Sequence, residues 1–98
     1  MKLEKIERTP LEKKEFKAIF TLDNGSSKTI RFGTGSNYVL NNNKTDLDRT
    51  NYIKRHRVRE DHDNVLTAGA LSRHLLWGDS RSLNQNIKTF KTKFNLGD

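Results

Sequence analysis

His56 and Glu60 stand four residues apart in "NYIKRHRVRED" (residues 51–61), the interval that brings two side chains to one face of a helix. Metal sites use such a pair, and His62 and Asp63 follow close behind. A zinc site also wants a third strong ligand at a defined spacing, so the plainer expectation is ion pairing at a helix end. His74, beside Leu75, reads as a hydrogen-bonded packing residue rather than a base. The chain has no cysteine, which excludes disulfides and thiolate chemistry. No serine sits in a Gly-x-Ser-x-Gly turn. Gly33-Thr34-Gly35 lacks both the third glycine and the Lys-Ser/Thr of a phosphate loop. No catalytic set assembles, and the expectation is a protein that is not an enzyme, with no cofactor and no metal.

The chemistry left is that of charge. Lys54, Arg55, Arg57 and Arg59 crowd around His56, and Arg49 precedes them by one helical turn. Over the whole chain 19 basic residues against 12 acidic give +7, with an isoelectric point near 9.9. That excess attracts polyanions, and Tyr52 could stack on a base. Yet Asp46, Asp48, Glu60, Asp61 and Asp63 bracket the cluster, so residues 45–66 carry five bases and five acids. Nucleic-acid-binding tails usually lack that counterweight. Arginine suits a protein interface, because its planar fork holds carboxylates bidentately and stays charged when desolvated. Arg49, Lys54, Arg55, Arg57, Arg59 and Arg73 are therefore the candidate partner-binding residues, with pairing to acids inside the domain and on partner proteins. Binding to nucleic acid is the alternative.

Elements must position these groups, and the chain has little to build them from. At 98 residues, with 32% hydrophobic residues and a mean hydropathy of −0.91, one thin core is expected. Apolar runs such as Leu75-Leu76-Trp77 are too short for a transmembrane helix or a signal peptide, so a soluble intracellular protein is expected. "EFKAIFTL" puts Phe16, Ala18, Phe20 and Leu22 on one side, "DNGSS" supplies turn residues, and "KTIRFG" returns with Ile30 and Phe32. This pattern predicts a β-hairpin. A first helix should start near Thr45 or Asp46 and run toward Val58, with both aspartates at its positive end. A second should start after Thr67 and stop at Gly78 in a left-handed C-terminal position. In a third, Ser82 and Gln85 form a capping box, and Leu83, Ile87, Phe90 and Phe94 make one apolar face. Tyr38, Val39 and Leu40 should tuck the intervening loop onto the core. Trp77 and the five phenylalanines are expected in that core.

The fold class is thus α+β: a β-hairpin packed against two or three short helices, in one domain over 16–98. Residues 1–15 alternate in charge around Pro10 and predict an extended N-terminal arm. Leu3, Ile6 and Leu11 would be its contacts with a neighbouring protein.

Three stretches, "YIKRHRVRED", "TAGALSRHLLWG" and "SLNQNIKTFKTKF", resemble a family of small basic proteins of large nucleocytoplasmic DNA viruses. That family places an "FG"-containing hairpin before R-Y-I-x-R-H-x-x-R-E, then T-A-G-x-x-S-R-x-L-L-W, then a Leu-Ile-Phe helix. The resemblance spans residues 16–94, and "TAGALSRHLLW" is its most specific piece. Asn51 departs from it by standing where a charged residue is expected. The resemblance implies a virion component made in the host cell cytoplasm and located in the capsid. It would be a minor capsid protein that cements or links major capsid proteins beneath the outer shell. Its partners would be the major capsid protein and other minor capsid proteins. The alternative is a nucleic-acid-binding virion protein that assists genome packaging.

Overall fold

A computed structural model describes residues 1–9, 14–33, 37–39 and 43–97. Three strands, β1 (Lys2–Arg8), β2 (Phe16–Thr21) and β3 (Ser27–Phe32), form an antiparallel sheet in the order β1-β2-β3. Three helical elements follow. These are α1 (Asp46–Arg57), α2 (Ala68–Leu71) running straight into a π-helical turn (Ser72–Leu76), and α3 (Leu83–Phe94). The class is α+β.

The hairpin forms where alternation predicts it, with Phe16 opposite Phe32 and Thr21 opposite Ser27. Its loop is Asp23-Asn24-Gly25, closed by the Leu22 amide on the Ser26 carbonyl at 2.7 Å. Within that loop only Gly25 takes positive φ, at +86°. A three-residue hairpin needs one left-handed residue at that place, and glycine takes it without a Cβ penalty.

The first residues are a strand of the fold, which corrects the expected arm. Leu3 pairs with Phe20 and Ile6 with Ala18, and an irregularity between Leu3 and Lys5 lets one residue bulge out. The bulge converts a spacing of three into two side chains on the same face. Leu3 is fully buried and Ile6 packs against the core. Both thus serve this chain's own interior rather than a neighbour. The alternating charges that suggested a free arm are strand pairs, with Glu7 contacting Lys5 at 2.5 Å and Lys17 at 3.2 Å. Leu11 lies outside the described residues.

The core lies between the inner face of the sheet and the last two helical elements. Leu3, Phe16, Ala18, Phe20 and Phe32 meet Leu71, Leu75, Leu76, Phe90 and Leu96 there. Tyr38 is buried and Val39 half-buried, as the loop reading expects, while Leu40 lies outside the described residues. The Leu3 amide donates to the Leu96 carbonyl at 2.9 Å, closing the core from both ends of the chain.

Two helix ends differ from expectation. Gly78 does not adopt positive φ. A Cβ there would run into the His74 carbonyl and the Asn86 side chain, so close approach is what requires glycine. The Ser82 hydroxyl caps the Gln85 amide at 3.3 Å, but its own amide donates to Ser80 Oγ at 3.0 Å, so the reciprocal arm of a capping box is missing. The complete box is at α1. There Asp48 N donates to Thr45 Oγ1 at 3.2 Å, and Thr45 N donates to Asp48 Oδ2 at 2.9 Å. Among the described residues, no helix is long and apolar enough to cross a membrane.

Candidate functional site

Helix α1 carries the cationic cluster, and none of its residues is buried. A helix polar on all sides does not bury itself against a core by hydrophobicity, so specific contacts must hold it. Three do. Arg49 Nε donates to the Trp77 carbonyl at 3.1 Å and the Gly78 carbonyl at 2.8 Å, and its guanidinium pairs with Asp79. The Tyr52 ring stacks on Trp77 with centroids 4.2 Å apart and planes 6° from parallel. At the N-terminal end, Asp46 Oδ1 accepts from the hydroxyl of the buried Tyr38 at 2.6 Å.

The six predicted arginines and lysines therefore divide into two groups. Arg49 and Arg73 work inside the fold, since Arg73 also donates to the Trp77 carbonyl, at 3.2 Å. Burial pushes the Arg73 pKa down. Lys54, Arg55, Arg57 and Arg59 are exposed. None of these four makes an ion pair within the described residues.

Four of the five neighbouring acids, expected to balance them, are engaged elsewhere. Asp46 accepts from the Tyr38 hydroxyl at 2.6 Å, which raises the tyrosine's pKa. Asp48 completes the capping box, and its hydrogen bonds from Thr45 lower its pKa. One oxygen of Glu60 serves both His56 and His62, the latter at 3.1 Å. Asp61 accepts from the Asp63 amide at 3.0 Å in a turn. Sequence neutrality over 45–66 does not become direct ion pairing with these four cations, because capping and turn geometry take most of the carboxylates first.

Beside the free cations, Leu47 and Val58 are 67% and 83% exposed. They stand eleven residues apart, which returns to the same side of a helix about three turns on. A shallow concavity of ≈ 670 Å³ runs along Arg55, His56, Val58, Arg59 and Glu60. The outer side of α1 thus offers two apolar side chains set among four cations.

The inner side of α1 closes a second, narrower space. A cleft of ≈ 360 Å³ lies between α1, the start of α2, the π-helical turn and the end of β3. Lys14, Lys44 and Arg55 line it, together with Tyr52, Glu60, Gly69, Ser72 and Trp77. The Glu60 side chain packs close over Gly69, where a Cβ would lie 2.6 Å from a carboxylate oxygen. Neither Lys14 nor Lys44 stands out by spacing, because Lys14 lies in a run of mixed charge and Lys44 follows a run of asparagines, and only the fold brings them together.

Tyr52 does not offer a stacking surface to a base. His56 covers the ring at 4.1 Å and Trp77 at 4.2 Å, and two rings so close to parallel must lie on opposite faces. Burial pushes its hydroxyl up to about 12. His74 is the packing residue that its position suggests. Its Nε2 donates to the His62 carbonyl at 2.7 Å, and its ring meets Phe90 and Phe94 at 5.5 and 5.1 Å. Burial, partly offset by that hydrogen bond, holds its pKa below the ordinary histidine value.

The His56–Glu60–His62 group is a hydrogen-bonded one: both ring nitrogens meet the same carboxylate oxygen. Among the described residues, no three His, Cys, Asp or Glu side chains are placed to hold a metal ion. Asn86 escaped sequence reasoning, since it stands in a helix otherwise legible by its apolar face. It is 3% exposed. Its amide donates to the Leu75 and Ser80 carbonyls at 2.9 and 2.7 Å and accepts from the Ser80 amide at 3.0 Å, fixing the loop that receives Arg49. The chain matches no family model, no curated protein and no solved structure.

Proposed function

We propose that this chain is a structural, non-catalytic virion component: a minor capsid protein that cements or links major capsid proteins beneath the outer shell. The observation that carries the reading is the outer side of α1. It is a tethered helix with four exposed cations free of ion pairs among the described residues and with Leu47 and Val58 uncovered. Such a surface complements an acidic protein face that has an apolar centre. The arginine forks would take carboxylates, and the two apolar residues would exclude water between them. Each contact is modest, and shell symmetry would multiply it. The sequence resemblance to small basic proteins of large DNA viruses points the same way.

The same free cations favour a second reading, a virion protein that binds nucleic acid during packaging. The covered faces of Tyr52 weigh against it, because its one aromatic on this helix has no face left for a base. Salt separates the two. A phosphate binder loses affinity steeply as salt rises, roughly in proportion to the phosphates it neutralises. A protein contact with Leu47 and Val58 at its centre should lose less, because its apolar part does not respond to counterions. Cross-linking of purified particles through Lys54 tests the first reading: the expected product joins this chain to another capsid protein. A product with nucleic acid alone would favour the second.

A further inference from the structure

We propose that the cleft on the inner side of α1 is a phosphate-binding site. It would take the phosphate groups of a free polyphosphate ester or of a nucleic-acid backbone. The site adjoins the outer docking face, and Arg55, His56 and Glu60 border both.

Three cations from three distant parts of the chain converge on the cleft: Lys14 ahead of β2, Lys44 ahead of α1, and Arg55 within it. None makes an ion pair within the described residues. A single charged run often yields a solvated face, but convergence from separate segments requires the fold. Each backbone is also held in place. The Lys14 carbonyl accepts from Thr9 Oγ1 at 2.8 Å. The Lys44 carbonyl accepts from the Arg81 guanidinium. Arg55 rides on the helix that Arg49 and Tyr52 fasten down.

The chemistry of the lining selects the ligand. Among the described lining residues Glu60 is the only carboxylate, and His56 and His62 already share it, so three cations against one acid leave an excess of two positive charges there. That excess calls for a multivalent anion. One guanidinium fork with two point-charge lysines is a donor set suited to phosphate oxygens. Because both faces of Tyr52 are covered, recognition rests on charge rather than on a stacked ring. The volume, ≈ 360 Å³, falls within the range of small-ligand sites and exceeds what one orthophosphate fills. The wall is the π-helical turn, in which the Trp77 amide donates to the Ser72 carbonyl at 3.0 Å and the cleft meets Ser72 and Leu76. Such turns recur at functional sites.

Calorimetric titration of the full chain with inorganic pyrophosphate at low ionic strength tests the proposal. The wild type should bind saturably, and the double variant Lys14→Gln/Lys44→Gln should bind roughly tenfold more weakly or worse. Lys88→Gln/Lys93→Gln, on the outer side of α3, should bind as the wild type does. Amide resonances of Gly33, Gly69 and Ser72 should shift on titration of the wild type, which requires no variant to fold. A single-stranded oligonucleotide without terminal phosphate that competes with pyrophosphate would identify the strand backbone as the source. One that does not compete would identify a free ester. Absence of saturable binding, equal loss in the α3 variant, or shifts confined to α3 would overturn the proposal.

Discussion

Trp77 joins the outer helix to the core through one residue. Its indole stacks on Tyr52, its carbonyl accepts from Arg49 and Arg73, and only 7% of it is exposed. Removing a buried tryptophan costs about 3–5 kcal/mol, a large share of what so small a domain has. Trp77→Ala should therefore unfold the domain or lower its melting temperature severely, and an unchanged thermal melt would refute its place in the core. His74 gives a second test, through pH. Its folded pKa is depressed by burial, so between that value and the ordinary one near 6.5 the unfolded chain binds more protons. Stability from this group is complete above about pH 6.5 and is lost as pH falls through the window toward the folded value. His74→Gln cannot titrate, and its melting temperature should fall less than the wild type's between neutral and mildly acid pH. Equal falls in both proteins would remove His74 as a cause.

Elements here differ in how they are held, and that decides what the sequence discloses. The hairpin was legible because Phe16, Ala18 and Phe20 alternate strictly, and the start of α1 because Asp46 and Asp48 suit the positive end of a helix. Strand β1 was not, because a bulge breaks the period of two and strand-paired charges look like a solvated run. The partner-binding cluster was legible as charge but not as geometry. Nothing in the spacing says that Arg49 turns inward to two carbonyls while Arg57 stays out, or that Lys14 and Lys44 approach Arg55. These depend on contacts distant in sequence. Arg49→Met keeps the aliphatic stem and removes the donors. It should raise amide hydrogen exchange across α1 while β2 stays protected, since α1 buries no residue of its own. Exchange that rises equally in both would show α1 to be part of one cooperative core. For β1, Leu3→Asp should cost on the order of 3 kcal/mol or more, because it puts a charge into a fully buried site. A melt within a degree of wild type would restore the free arm.

At the scale of the whole molecule, the radius of gyration of 13.0 Å equals the value expected of a compact domain this size, about 13 Å. Such a body reaches a partner through its surface, and the outer side of α1 is a surface whose four cations make no ion pair among the described residues. Asp46, Asp48 and Glu60 hold a tyrosine, cap the helix and bridge two histidines, so they do not pair with the exposed cations. Lys54, Arg57 and Arg59 are exposed and lie outside the lining of the inner cleft, so reversing them tests the docking face alone. The decisive measurement is the amount of Lys54→Glu/Arg57→Glu/Arg59→Glu protein in purified particles, relative to wild type, after its thermal melt is shown to be unchanged. Loss of the charge-paired interface predicts a drop of roughly tenfold or more. Incorporation at the wild-type level by the folded variant would contradict the assignment of this face to capsid contact.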